Sequence, residues 1–340
     1  MANKAAWLMA KQAKPFKVDE ALMPVPGDDE VVIRNHAVGI NAADILVQQL
    51  GIIYQKYPKV IGVDVAGEVT TVGEKVIKFK PGDRVLAWIK SNMAEAGSDG
   101  AFQLFAKTSG DFVCKIPDDV PFKNACVMPQ GMGTASMGLF AKEDGLGLPY
   151  PQVPPKPTGE VIVVWAGATS VGSCAIQLAV AAGLEVASTA SERNHEYCKN
   201  LGAKWVFDYK SETVVDDILK ALEGKTSVGV MDAWSRDPFP GKSAELAMKL
   251  KGNSFLQTVF PSILLPKEVP EGLTLGHVSG MHADVVSAVW GDWMPKALAA
   301  GTLKCAPEPL VVGQGLEEVQ TAFDHGAFST SAQKLVVELP

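Results

Sequence analysis

The chain has 340 residues, 47% of them hydrophobic and 20% charged, enough for one or two domains with a sizeable core. Its net charge of −7 argues against nucleic acid or an anionic membrane surface as a partner, because both demand a positive field. No apolar run reaches membrane-spanning length, the N-terminus lacks a signal-peptide core, and the five cysteines are scattered without a Cys-x-x-Cys pair, so a reduced, cytoplasmic protein without disulfides is expected.

In the first 125 residues, short β-prone runs at 5–9, 30–37, 67–72 and 83–88 are separated by Pro/Gly turns, the pattern of a compact β-barrel-like domain. From Pro129 onward helices and strands alternate. A Pro-rich segment, 148–157, reads as an extended surface loop, since repeated proline excludes regular helix.

Val161 to Trp165 is wholly apolar and β-branched, as expected of a parallel strand buried on both faces. Gly167, Thr169 and Gly172 then occupy the three glycine positions of a Gly-x-Gly-x-x-Gly turn, with Thr in the middle one. A helix over 174–182 and a strand over 184–189 complete a strand-turn-helix-strand unit. In such a unit a pyrophosphate rests on backbone N–H groups at the helix N-terminus, here those around Ala168, Ser170 and Val171. Helices are predicted at 192–201, 214–222 and 243–250, with strands at 205–208, 228–233, 254–259 and 273–279. That alternation means a doubly wound parallel sheet. Helices at 283–300 and 316–326 and a strand at 334–339 close the chain.

The runs Gly39-Ile-Asn-Ala-Ala-Asp44, Ile61-Gly-Val-Asp-Val-Ala-Gly-Glu-Val69 and Pro81-Gly-Asp-Arg-Val85 resemble the medium-chain dehydrogenase/reductase superfamily. Leu201-Gly-Ala-Lys-Trp-Val-Phe-Asp-Tyr209 and the segment from Gly315 to Lys334 resemble it as well, so the likeness covers nearly the whole chain. The chain is most similar to the zinc-free quinone oxidoreductase and enoyl reductase branch, including fungal trans-acting enoyl reductases. The resemblance implies an α/β protein: a GroES-like β-barrel catalytic domain over 1–127 and 281–340, interrupted by a Rossmann domain over 128–280 with a doubly wound parallel sheet. It places the active site in the cleft between the two. It implies a monomer or a homodimer, paired through the strand 273–279.

Zinc members of the superfamily hold the catalytic metal with Cys, His and Cys. Motif for motif, those positions fall on Asn41, Val63 and Gln130, which are not zinc ligands, and the four-cysteine structural lobe is absent. A metal-free enzyme is therefore expected. Without a Lewis acid, hydride delivery to a C=C conjugated with a carbonyl is feasible, given a donor for the developing enolate and a proton source. The resemblance offers Asn41 as donor, against its plainer reading as a loop cap beside Asp44. For the acid it offers Tyr54, with Lys56 or Tyr57 as alternatives, against the plainer reading of Tyr54 as a half-buried loop aromatic. The substrate pocket falls to loops such as 50–59 and 261–272.

Cofactor choice turns on the end of the second Rossmann strand, where NAD enzymes place a carboxylate. Here Ser188-Thr-Ala-Ser191 is small and uncharged, with Arg193 and Asn194 nearby and Tyr209 at the next strand end, so NADPH is expected. Glu192 is the counter-signal. The resemblance also implies cofactor contacts from Asn41, Gln130, Thr134, Val259, Val278, Ser279 and Lys334. The substrate class expected is a small molecule with a conjugated C=C or a quinone. Carbonyl reduction and a non-catalytic NADPH-binding role are the rival readings.

Overall fold

The structure, a computed structural model, describes residues 2–234, 241–259, 265–326 and 329–340. The chain divides into two compact units, Met1–Gln130 with Cys305–Pro340, and Gly131–Lys304. The return to the first unit thus lies at 304/305, against the 280/281 expected, because the helical segment Ala283–Ala299 belongs with the second unit.

The first unit is built on the strand Glu30–Gly39, which pairs antiparallel with Asp64–Val72, Phe105–Ser109 and Gln333–Glu338. Alternation along it sends Val31 and Ile33 into a core shared with Val65, Val69, Val85 and Phe102. Each such side chain taken fully from water is worth about 1.5–3 kcal/mol. The sheet continues through Arg84–Trp88 to Val113–Lys115 on one side and through Gln333–Glu338 to Glu308–Gln314 on the other. A second, three-stranded sheet joins Lys17–Glu20, Lys4–Leu8 and Lys59–Val60. This is the GroES-like architecture. A helix, Ala42–Leu50, leaves the central strand directly and stops at Gly51, whose φ of 61° is the left-handed C-cap that glycine adopts without strain.

The second unit holds a six-stranded sheet, every pair of it parallel. Its order runs Trp205–Phe207, Glu185–Thr189, Val161–Trp165, Ser227–Asp232, Phe255–Thr258, Thr274–His277, the doubly wound Rossmann order. All five residues of Val161–Trp165 are buried, as a central parallel strand covered on both faces requires. Trp205–Phe207 and Thr274–His277 are the sheet's two edge strands. The helix expected over 283–300 is present in three pieces: Ala283–Val286, a π-helical Ser287–Trp293, and Met294–Ala299. Pro295, with no N–H to give to the helical ladder, stands just after the π-helical stretch.

Candidate functional site

In the second unit the helix after the nucleotide turn runs Ser170–Ala181, four residues earlier than expected. Thr169 explains the start. It is the N-cap, its hydroxyl accepting from Gly172 N–H at 3.0 Å and donating to Ala166 O at 2.9 Å. The first N–H groups of a helix have no acceptor within it; with Gly172 taken, those of Ser170 and Val171 remain outside the ladder. The turn is pinned by Ala166 N–H donating to Thr189 Oγ1 and Gly167 N–H to Thr189 O, both at 2.9 Å. A Cβ on Gly172 would lie 2.3 Å from Ala166 O, so only glycine lets the helix start approach the strand end. On Gly167 it would meet Ser188 Oγ at 2.1 Å. The middle position tolerates Thr because its side chain caps the helix.

These residues fit a dinucleotide pyrophosphate. The buried Ser170 Oγ has no hydrogen-bond partner among the described residues, an orphan that a phosphate oxygen would satisfy. Ala168 stands at the tip of the same turn.

At the end of the next strand, Ser191 accepts from Asn194 Nδ2 at 3.2 Å, which leaves its hydroxyl hydrogen to donate. Asn194 is buried, whereas Glu192 and Arg193 are exposed. Ala190 N–H donates to Phe207 O, so the segment leading to Ser191 lies alongside the strand that leads to Tyr209. Tyr209 is 43% exposed, with Lys210 Nζ 5.9 Å from its ring centroid and Lys242 Nζ donating to Ser211 O at 2.8 Å. Neither lysine was read from the sequence: Lys242 is distant in the chain and Lys210 lies outside the turn motif. Ser279 donates to Asp144, which also bonds His282 Nε2 at 3.0 Å, and Val278 precedes it in the same loop. Val259 N–H donates to Asp232 O at 3.3 Å, and Thr134 lies on the helix Pro129–Phe140. Of the loop 261–272, residues 261–264 lie outside the described residues.

In the first unit Asn41 is the N-cap of Ala42–Leu50. Asp44 Oδ2 accepts from Asn41 N–H at 2.9 Å, the return half of a capping box, and from Asn41 Nδ2 at 3.2 Å. Asn41 Nδ2 also donates to Asp64 Oδ2 at 3.1 Å. Both amide hydrogens are therefore committed to carboxylates. A donor role toward an enolate would require one of these bonds to be released. Asp64 is completely buried; it accepts from Gln130 N–H at 2.8 Å and pairs with the Nζ of Lys334, which also donates to Val127 O at 3.1 Å. Lys334, expected as a cofactor contact, is 4% exposed and held inside this network. Burial pushes the Asp44 carboxyl up to about 7, opposed by the bonds from Asn41 and reinforced by the charge of Asp64.

Tyr54 is half-buried, and burial raises its phenol to about 12; a side-chain bond to Ser91 works the other way, and the charges of Asp44 and Asp99 add to the rise. Lys59 Nζ lies 5.4 Å from its ring centroid. Tyr57 donates to Tyr54 O at 3.4 Å. Lys56, the alternative acid, is exposed and bonded to both oxygens of Glu95, at 3.0 and 2.9 Å.

A zinc ion does not fit the positions where the superfamily holds one: Asn41 and Gln130 are neutral amides, and the Val63 side chain carries no donor atom. Among the described residues no group of three or more His, Cys, Asp or Glu side chains is arranged to hold a metal ion. Among them, too, no helix is long and apolar enough to cross a membrane.

A model of the alcohol dehydrogenase GroES-like domain matches residues 27–118, and one of the zinc-binding dehydrogenase domain matches residues 170–245. With the two folds and the glycine turn, these matches define an oxidoreductase that uses a nicotinamide cofactor; the chain belongs to the medium-chain dehydrogenase/reductase family. It is 39% identical to the dehydrogenase pigH of Monascus ruber, with 99% of each chain covered. It is 36% identical to the trans-enoyl reductase himH of Aspergillus japonicus, over 99% of this chain and 97% of that one. Its fold matches that of the CurK enoyl reductase with a TM-score of 0.78 at 20% identity, covering 100% of both chains.

Proposed function

We propose that the protein is an NADPH-dependent reductase that delivers hydride to a C=C bond conjugated with a carbonyl, without a metal. The observation that carries the reading is the placing of Tyr54, a half-buried phenol near the buried Asn41–Asp44–Asp64 network that stands where zinc relatives place a metal ligand. The names of the trans-enoyl reductase relatives agree with it.

In this reading the bound dinucleotide supplies the hydride. The N–H groups of Ser170 and Val171 and the Ser170 hydroxyl hold its pyrophosphate. Ser191, Arg193 and Tyr209, with Lys210 and Lys242 close to Tyr209, favour a 2′-phosphate, because the strand ends offer hydroxyls and cations, and Glu192, next to Ser191, is exposed to solvent. Tyr54 gives its proton to the carbon next to the carbonyl as the enolate collapses. Asn41, Asp44, Asp64 and Lys334 keep the loop entry rigid, and Lys56 takes no part.

The test is NADPH and NADH oxidation by the purified protein with a 2-enoyl thioester, 2-cyclohexenone, a benzoquinone and an aliphatic aldehyde, products being identified by mass spectrometry. Saturated thioester or ketone formed with NADPH is expected. Reduction confined to the quinone or the aldehyde would move the assignment to a quinone or carbonyl reductase. Binding without turnover of any of them would leave a non-catalytic NADPH-binding protein.

A further inference from the structure

Beyond the short strand Lys59–Val60, the segments 52–60 and 91–99 of the first unit are turns and loops, yet they are laced together along their length. Gln55 N–H donates to Met93 O at 3.1 Å, Gly97 N–H to Pro58 O at 3.1 Å and Val60 N–H to Gly97 O at 3.0 Å. Lys59, completely buried, donates Nζ to Asn92 O at 2.7 Å and Glu95 O at 2.8 Å, and pairs with Asp99 Oδ1 at 2.5 Å. Each of its three hydrogens thus has an acceptor on 91–99. Asp99 closes that segment on itself, accepting from Asn92 N–H at 2.6 Å and Ser91 Oγ at 3.2 Å. Burying an ammonium is costly, and what the cost secures is a fixed pair of loops.

What the two loops display is apolar. Ile52, Ile53 and Met93 are 47%, 50% and 57% exposed. The bond from Gln55 sets Met93 beside the turn that carries the isoleucines, and Tyr54 follows directly on them. Ile53 has a φ of 77°, in a three-residue turn closed by Tyr54 N–H donating to Ile52 O at 3.0 Å, a conformation unfavourable for a β-branched side chain. Such strain persists at ligand clamps, where the surrounding structure enforces it. The charged residues of the two segments are Lys56, Lys59, Glu95 and Asp99, and they cancel in pairs, Lys56 with Glu95 at 2.9 Å and Lys59 with Asp99. A charged group therefore finds no free counter-charge on the loops themselves. Three apolar side chains also fall far short of the roughly 20–30 residues a side that a stable protein interface engages, so a partner protein or a second copy is a poor fit. An uncharged alkyl chain matches both the size and the chemistry of the lip.

We infer that Ile52, Ile53 and Met93 form the subsite for an alkyl chain on the β-carbon of the substrate, so that medium-length 2-enoyl compounds are the preferred class. The inference rests on the reading of Tyr54 as the acid at a conjugated C=C, and names the substrate class within it. With Tyr54 at the α-carbon, a chain on the next carbon begins within reach of Tyr54's own neighbours. A methylene taken fully from water is worth about fourfold in affinity, and about twofold on an open lip that covers one side of it. A short enoyl group leaves the lip wet and forgoes that gain.

The experiment measures kcat/KM with NADPH for the N-acetylcysteamine thioesters of 2-butenoic, 2-hexenoic and 2-octenoic acids in wild type, Met93→Ser, Ile52→Ser and Ile53→Gly. Alongside, the saturated butanoyl and octanoyl thioesters are compared for the rise they cause in melting temperature. Wild type should gain roughly tenfold from butenoyl to octenoyl, four methylenes at about twofold each. Met93→Ser and Ile52→Ser should each cut that gain to about threefold, mainly through KM. Ile53→Gly should do the same while melting close to wild type, because glycine takes a φ of 77° without strain. A wild type whose kcat/KM is flat or falls with chain length would overturn the inference, with the reductase reading intact. Variants that keep the tenfold gain, or that slow all three thioesters alike, would overturn it too. So would a dimer that Met93→Ser dissociates, since a second copy would then cover the lip. If no thioester is reduced, yet octanoyl raises the melting temperature more than butanoyl and Met93→Ser abolishes the difference, the reductase reading falls and the subsite stands. Neither turnover nor length-dependent binding would refute both.

Discussion

Asp44→Asn should make the protein more stable at neutral and alkaline pH, although it removes a residue of a buried network. The Asp44 carboxyl is raised from 3.8 to about 7 by burial. In the unfolded chain it loses its proton near the lower value, in the folded protein only near the higher one. Between the two the folded state binds more protons, so this group's contribution to stability falls as pH rises from about 4 to about 7 and is flat above. A rise of roughly three pH units corresponds to about 4 kcal/mol, a ceiling that the mutual influence of Asp44, Asp64 and Lys334 lowers to about 2–4 kcal/mol. Asparagine can keep the acceptor that Asn41 N–H and Nδ2 use, since one oxygen, Oδ2, takes both bonds. Replacing the charge by a neutral amide removes the titration and little of the geometry. The assay is urea denaturation of both proteins followed by tryptophan fluorescence at intervals between about pH 5 and about pH 8. The stability difference, variant minus wild type, should grow through that interval and level off near neutrality. A difference that is constant with pH, or that shrinks as pH rises, would refute the reasoning and show that Asp44 is ionised in the folded protein throughout.

Lys334→Met should destabilise the first unit by about 3–5 kcal/mol, because it leaves the completely buried Asp64 carboxylate without its cation; a large drop in melting temperature reports it, and an unchanged one would contradict the ion pair. Arg193→Ala should weaken NADPH binding roughly ten- to a hundredfold, the loss of one charge-assisted contact, and leave NADH binding nearly unchanged in a fluorescence titration. Equal losses for the two cofactors would assign the choice to Glu192 instead. EDTA should leave NADPH oxidation unchanged and metal analysis should find no stoichiometric zinc, since Val63 offers no donor atom; a chelator-sensitive rate would require a ligand set elsewhere.

The parts of this protein that rest on local pattern are legible in the sequence. A parallel strand buried on both faces must be apolar throughout, and Val161–Trp165 is; a helix that begins against a strand end needs glycine where a Cβ would strike backbone, and Gly172 is there. The order of such units names the doubly wound sheet, and the motifs at Gly39–Asp44, Ile61–Val69 and Pro81–Val85 name the family. The absence of ligand-type side chains at Asn41, Val63 and Gln130 is equally plain without coordinates.

What pattern does not carry is which partner a polar side chain finds. Asn41 reads as a donor to the developing enolate, with a loop cap as its plainer reading; that Asp44 and Asp64, from two different elements, both hold its amide is set only by the tertiary structure. Lys334 and Asp64 are 270 positions apart, and no periodicity relates them. Lys59, at the end of a stretch that reads as a pocket-building loop, is completely buried because the segment 91–99 folds over it and supplies three acceptors. The short strand Phe105–Ser109 escapes notice for the same reason, since its pairing with Glu30–Gly39 comes from distant chain. Chain chemistry decides which elements form and which ions a site could never bind. The burial of charge, and with it the proton affinity of Asp44 and Tyr54, is decided only when segments far apart in sequence close over each other and exclude water.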